Sequence, residues 1–337
     1  MQVLNKLRFL LFPIALLYGG ITMVRNLMFD WGIFSSKKPD LPTIGVGNLA
    51  MGGTGKSVVV MDLIKRLQPN FKIGTLSRGY GRKTKGLIIA GPDDNASTLG
   101  DEPNQFRERY ANSLVVVSEN RNKAIQVIQN LKVPPDKLIL DDVMQHRWVH
   151  PRFLIMTTAF DRPYFKDFLF PVGNLRERRS GVKRADLILV TRTPEDFTTD
   201  QKQVFLKKIK TKAPVFFTKI TYANFLSQKE KTFDSKVLKN GFLLITGIAD
   251  PSHLVGHLKN QYGTFDHLRF KDHHNYNQSD AKMIKEKAKG KIILTTEKDY
   301  AKLAQILTDE NLYCIKIEQD FIFEEEQTLF VQMIQNL

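Results

Sequence analysis

Cysteine is almost absent from this chain. Cys314 is the only one in 337 residues, which excludes internal disulfides and any cysteine-built zinc cluster and suits a reducing cytosol. Acid is scarce relative to base: 35 Asp+Glu face 50 Lys+Arg, giving a net charge of +15 and a pI near 9.7. Such a surface attracts polyanions, whether nucleic acid, anionic lipid headgroups or phosphorylated small molecules. The basic residues fall in short clusters such as Arg176, Arg178, Arg179, Lys183 and Arg184. No helix-turn-helix, zinc-finger or RNP-type pattern accompanies them, so no nucleic-acid partner is expected. Internal repeats and low-complexity tracts are also missing. Apolar content of 42% and charged content of 25% are ordinary for a globular protein, and the length allows two domains.

Charge is missing altogether from Phe9 to Val24, a run flanked by Lys6, Arg8 and Arg25. Sixteen helical residues rise about 24 Å against a hydrocarbon core of about 30 Å, a gap that snorkelling basic side chains can narrow. A small-residue cleavage site does not follow; Arg25, Asn26 and Leu27 do. Residues 1–32 therefore read as an uncleaved membrane helix that dips into or barely crosses the bilayer, with basic flanks holding the remainder on the cytosolic face.

What the chain does have is TIGVGNLAMGGTGKS, Thr43 to Ser57, followed by a helical run to Leu67. A short apolar strand, a glycine turn and a helix N-terminus make a phosphate-binding P-loop. Gly52, Gly53, Thr54 and Gly55 let backbone N–H groups close around phosphate oxygens, Lys56 reaches the terminal phosphates, and Ser57 offers a hydroxyl to Mg²⁺. Ala50 stands where the usual pattern has its first glycine.

Apolar β-branched runs then alternate with helical patterns. Strands are expected at Thr43–Gly47, Lys72–Leu76, Leu114–Val117, Lys137–Leu140, Arg152–Met156, Asp186–Val190 and Pro214–Thr218. This rhythm predicts an α/β, P-loop NTPase-like fold with a mostly parallel sheet covered by helices and ligands at the carboxyl ends of the strands. The polar, lysine-rich stretch 221–239 reads as a linker between a core at 33–220 and a smaller α/β domain at 240–337, which has no phosphate loop and closes over the active site.

A Walker-B carboxylate belongs at the end of such a strand, and LILDDVMQH supplies Asp141 and Asp142 as metal ligands opposite Ser57. LSRGYGR places Arg78 after the second strand, GDEP puts Asp101 and Glu102 at a helix start, and GNLRE offers Arg176 and Glu177 in a loop. In the second half, KDHHNY provides a histidine-bearing general-base candidate, and TTEKD a further polar loop.

Taken in order behind an apolar N-terminal helix, GNLAMGGTGKS, LSRGYGR, GDEP, LDDVMQH, GNLRE, ADLILVTR, KDHHNY and TTEKD resemble the tetraacyldisaccharide 4′-kinase family of lipid A synthesis. The likeness runs from the anchor to about Asp299. The departures are Val143-Met144 in place of Gly-Phe, and Arg178 in place of Pro. The resemblance implies transfer of the γ-phosphoryl group of ATP, with Mg²⁺, to the 4′-hydroxyl of a lipid-linked disaccharide 1-phosphate at the cytosolic face of the inner membrane. No obligate protein partner is implied. It further implies that Asp101 with His273 takes the hydroxyl proton and that Glu102 joins the metal site. Asn48, Arg78, His146, Arg176 and Glu177 would position substrate or phosphate. A membrane-bound P-loop ATPase doing mechanical or partitioning work is the alternative. A GTP switch is disfavoured because LILVTR replaces Asn-Lys-x-Asp.

Overall fold

The computed structural model describes residues 8–226, 234–248, 250–272, 274–308 and 311–337. In chain order its strands are β1 Thr43–Gly47, β2 Ile73–Ser77, β3 Ile88–Ile89, β4 Leu114–Val117, β5 Lys137–Leu140, β6 Phe153–Ala159, β7 Leu187–Thr191, β8 Val215–Leu226, β9 Leu243–Thr246, β10 Asp266–Arg269, β11 Ile293–Thr296 and β12 Leu312–Phe321. Among the described residues these twelve form one sheet in the order β10-β9-β11-β12-β8-β7-β6-β1-β5-β2-β4-β3. Pairing is parallel except at β3–β4 and β8–β12. The parallel sheet predicted by the βα rhythm is therefore present, and β1, β5 and β6 are buried at every position, as strands covered by helices on both faces should be.

The two halves share this sheet through β8. Its first residues pair with β7 in parallel, and Thr218–Leu226 pairs with β12 in antiparallel fashion. Thus the first part of the stretch read as a linker, Thr221–Leu226, is strand. The lysines that gave the stretch its linker character all follow Leu226 in the sequence. Phe330 and Ile334 of the C-terminal helix Glu324–Gln335 pack into the same core as Ile44 and Val46 of β1, so the chain's end returns to the first half.

Arg109 ties the halves together outside the sheet. It pairs with Glu297 at 3.0 Å and Glu318 at 2.7 Å and donates to the Ile317 carbonyl, and its side chain is only 6% exposed. Burial raises the Glu297 carboxyl, with Arg109 opposing. Arg109→Ala would strand two carboxylates without their cation. We expect a loss of about 3 kcal/mol or more, read as a lowered melting temperature in a chain whose phosphate loop is unchanged.

The N-terminal helix Phe12–Asp30 is two-faced. Leu16, Leu17, Ile21 and Val24 are exposed, while Ala15, Gly19 and Phe29 are buried. A methyl on Gly19 would sit 2.6 Å from the Leu169 side chain, so the helix approaches the loop at 167–178 as closely as glycine permits. Polar ties run along its whole length. Arg8 donates to the Pro171 carbonyl, Tyr18 to Arg176 O, Arg25 to Gln145 O and Asn26 to Glu177, and Asp30 pairs with Arg147 at 2.7 Å.

Candidate active site

The loop after β1 curls through Gly52, Gly53 and Gly55 at φ +62°, +63° and +74° and delivers Lys56 as the first residue of helix Lys56–Leu67. Such angles are inexpensive only for glycine, and a turn of this kind lets successive N–H groups converge on an anion. Asn48 is fully buried and anchors the loop, donating to Thr54 Oγ1 at 2.7 Å. The Thr54 hydroxyl in turn meets Thr157 of β6 at 2.9 Å. Ser57 follows at the helix start, half-buried.

Beside it, β5 ends in Asp141 and Asp142. The chain then crosses close over β1: Val143 N–H donates to Val46 O, and a methyl on Gly47 would lie 2.6 Å from Met144 Cβ. Gly47 thus permits the carboxylates to sit beside the phosphate loop. Val143 and Met144, the departures from the family pattern, are buried core residues here. Lys56 Nζ lies 3.1 Å from Asn48 Oδ1 and 3.5 Å from Asp142. Arg176 grips Asp142 with two bonds of 2.7 and 2.9 Å and also reaches Asn48 Oδ1. Lys56, Asn48, Asp142 and Arg176 are therefore one network.

The two aspartates differ electrostatically. Burial, then the neighbouring Asp142 charge, with Glu102 adding to it, pushes the Asp141 carboxyl up to about 6 against the pull of Lys56 and Arg121. Burial also acts to raise Asp142, but the Arg176 hydrogen bond and the charges of Lys56, Arg176 and Arg121 prevail and hold it far below the usual carboxylate range. Asp141 accepts from Ser77 at 3.3 Å through Oδ2, while its Oδ1 is buried with no partner. A buried, unpaired carboxylate oxygen opposite a P-loop hydroxyl fits a cation or its water. Among the described residues no three His, Cys, Asp or Glu gather as a metal site. Mg²⁺ is held mainly by phosphate oxygens and water with one or two carboxylates, so the unpaired Asp141 oxygen is the group here that fits it.

Arg121, which the sequence analysis did not single out, lies fully buried beneath the aspartates and donates to the Asp141 and Asp142 carbonyls. Its place after an Asn120 cap reads locally as a solvated helix start; only tertiary packing buries it. Arg78 is exposed after β2. His146 is held neutral, pushed down to about 4 by burial and then by the charges of Arg121, Arg78 and Arg25. Glu177 faces away from this network. It is 3% exposed, and its carboxylate takes bonds from Asn26, Gln145 and Arg184, so it bolts the N-terminal helix to the site loops.

Asp101 and Glu102 open helix Asp101–Arg109, whose Pro103 sits in the first turn where its missing N–H costs nothing. Helix Glu297–Leu303 of the second half meets them there. Lys302 donates to Asp101 Oδ2 at 3.0 Å and to His274 O at 3.4 Å; Lys298 lies 3.6 Å from Asp101 and 3.9 Å from Glu102. Asp299, nearly fully buried, accepts from Tyr276, Gly247 N–H and Thr296, tying the KDHHNY stretch to TTEKD. His273 lies outside the described residues.

A groove of about 550 Å³ opens between the N-terminal helix and the loop carrying Arg176, lined by Phe12, Ala15, Leu16, Leu169, Val172 and Leu175 with Arg178 and Arg179 at its edge.

The family model described as tetraacyldisaccharide-1-P 4′-kinase matches residues 7–337. A tetraacyldisaccharide 4′-kinase of Flavobacterium psychrophilum is 42% identical over 329 residues, covering 96% of this chain and 95% of its own length. One from Phocaeicola vulgatus is 36% identical over 350 residues, covering 97% and 94%. The crystal structure of LpxK from Aquifex aeolicus in complex with ATP superposes with a TM-score of 0.78 at 29% identity, covering 97% of this chain and 99% of that one.

Proposed function

This chain belongs to the tetraacyldisaccharide-1-phosphate 4′-kinase family, and from that premise we propose how its residues divide the work. Its reaction is the ATP-dependent phosphorylation of the lipid-linked disaccharide 1-phosphate at the 4′ position, on the cytosolic face of the inner membrane. The observation that carries the assignment of roles is the network of Lys56, Asn48, Asp142 and Arg176 at the phosphate loop.

Phosphoryl transfer asks little covalent chemistry of a protein; positioning and charge stabilisation do most of it. The backbone N–H groups of the glycine turn and the Lys56 amino group hold the ATP phosphates. Asp141, through its unpaired oxygen, Ser57 and the nearby Glu102 would hold Mg²⁺, which supplies charge neutralisation across the phosphates. Arg176 and Asp142 orient each other, with Arg78 and His146 at the open edge for the acceptor. Asp101 takes the proton of the 4′-hydroxyl together with His273; Lys302, bonded to both Asp101 and the His274 carbonyl, supports this by bringing the histidine-bearing stretch to Asp101. Glu177 acts indirectly, as a positioning residue. The core, the strand-containing segment 221–239 and the smaller unit that follows would work as two sides of one cleft.

The groove beneath the N-terminal helix suits an acyl chain, and its rim arginines suit phosphate. Because the helix is tied down from Arg8 to Asp30, its apolar stripe enters the bilayer side-on. Leu17 and Ile21 are 67% and 62% exposed, so Leu17→Glu with Ile21→Glu should leave the fold intact, since nothing buried changes. This variant should move from membranes to the soluble fraction. It should lose activity on vesicle-embedded acceptor while keeping it on detergent-dispersed acceptor; retention on membranes would place the anchor elsewhere.

The function itself is tested by ADP formation with and without the lipid acceptor. A kinase makes ADP in step with acceptor phosphorylation. Equal ADP release without the lipid would favour an ATPase.

A further inference from the structure

Opposite Asp142, the P-loop is flanked by a short segment that neither the motifs nor the mechanism above has used: Phe160 to Pro163, directly after β6. Its backbone is fixed at both ends. Phe160 N–H donates to Thr191 O at 2.9 Å and Tyr164 N–H to the Thr158 hydroxyl at 3.0 Å. The Phe160 ring packs on Phe197 and stacks on Phe205, and Asp161 pairs with Arg192 at 2.9 Å. Pro163 further restricts the residue before it to extended backbone. The Thr191 hydroxyl donates to Thr54 O at 3.1 Å, locking this flank to the phosphate loop itself.

On this rigid segment Arg162 is exposed and has no hydrogen bond or ion pair among the described residues. Its Nη2 nevertheless lies over the loop, 3.2 Å from where a methyl on Gly53 would be. A guanidinium held beside a phosphate-binding turn without a carboxylate partner is placed for an anion the loop itself receives. We propose that Arg162 is a catalytic arginine supplied by the chain itself, contacting the nucleotide polyphosphate from the flank opposite Arg176 and neutralising charge that builds on the leaving ADP oxygens.

The physical reason is differential. In a loose phosphoryl-transfer transition state the bond between the γ-phosphorus and the bridging oxygen lengthens and its electron pair stays on ADP, while the γ-phosphorus bonds to the 4′-oxygen, whose proton passes to the base; negative charge grows on ADP. A group that meets this charge raises turnover more than it raises ground-state affinity. The inference rests on the phosphate-loop reading, so Lys56→Ala accompanies it as a control.

The experiment compares full-length wild type, Arg162→Ala, Arg162→Lys and Lys56→Ala for turnover, and for equilibrium binding of ATP and ADP with Mg²⁺. Arg162→Ala should lower kcat by about 10²-fold while nucleotide Kd changes by less than about five-fold. Arg162→Lys should recover only part, because an ammonium lacks the planar fork. Arg162→Ala turnover within about two-fold of wild type, or a loss confined to nucleotide Kd, overturns the proposal while an inactive Lys56→Ala leaves the phosphate loop standing. If Lys56→Ala is also fully active, the underlying reading fails as well.

Discussion

Lys56→Ala is expected to lower turnover by roughly 10³-fold or more, about 4 kcal/mol of lost transition-state stabilisation. Other cations stand close, yet none can take its place; Arg162 meets the loop only from the flank beside Gly53. Arg176 is already committed to Asp142 and Asn48, and Arg121 lies below the aspartates, bonded to their carbonyls. Removing the amino group also leaves Asp142 with one counter-charge fewer, although the Arg176 bonds keep it ionised. Single-turnover kinetics on a variant with an unchanged melting curve would check this, and near-normal turnover would refute the phosphate-loop assignment.

The second large effect concerns the base. Asp101→Ala and His273→Ala should each slow the reaction by roughly 10²- to 10⁴-fold, and the double variant should lose little more than the worse single one, because members of one catalytic device are not additive. The structure adds a constraint. Lys302 and Lys298 both reach Asp101 Oδ2 from the second half of the chain, so Asp101→Ala also removes an anchor between the two sides of the cleft. Asp101→Asn keeps the shape and can still accept from Lys302. If it is as slow as alanine, the loss is one of proton transfer rather than of docking. Losses that multiply in the double variant would show the two residues acting independently.

How much of this could be read from residues alone depended on whether a signal was local. β1, β4 and β5 and helix Lys56–Leu67 lie where the apolar runs and glycine turn put them, because a buried parallel strand and a P-loop each write a continuous, short-range pattern. Asp141 and Asp142 were legible for the same reason. Asp101 and Glu102 open a helix, as GDEP suggested, because proline is tolerated in the first turn. Arg121, Arg162 and Lys302 were not legible. Each is an ordinary charged residue whose role comes from what lies across the fold: Arg121 from the Asp141 and Asp142 carbonyls, Arg162 from Gly53, and Lys302 from Asp101. Glu177 shows the reverse. A motif marked it, but packing gave its carboxylate to Asn26, Gln145 and Arg184 rather than to the open cleft. The departure at Val143-Met144 likewise proved to be core filling next to β1.

The most direct measurement follows the label of γ-³²P ATP incubated with the full-length protein, Mg²⁺ and tetraacyldisaccharide 1-phosphate in mixed micelles. A chloroform-soluble product carrying the label at the 4′ position is expected, formed by wild type and slowed by roughly 10²-fold or more with Lys56→Ala and Asp101→Ala. Label recovered only as inorganic phosphate, or lipid labelling that keeps its wild-type rate in both variants, would contradict this reading.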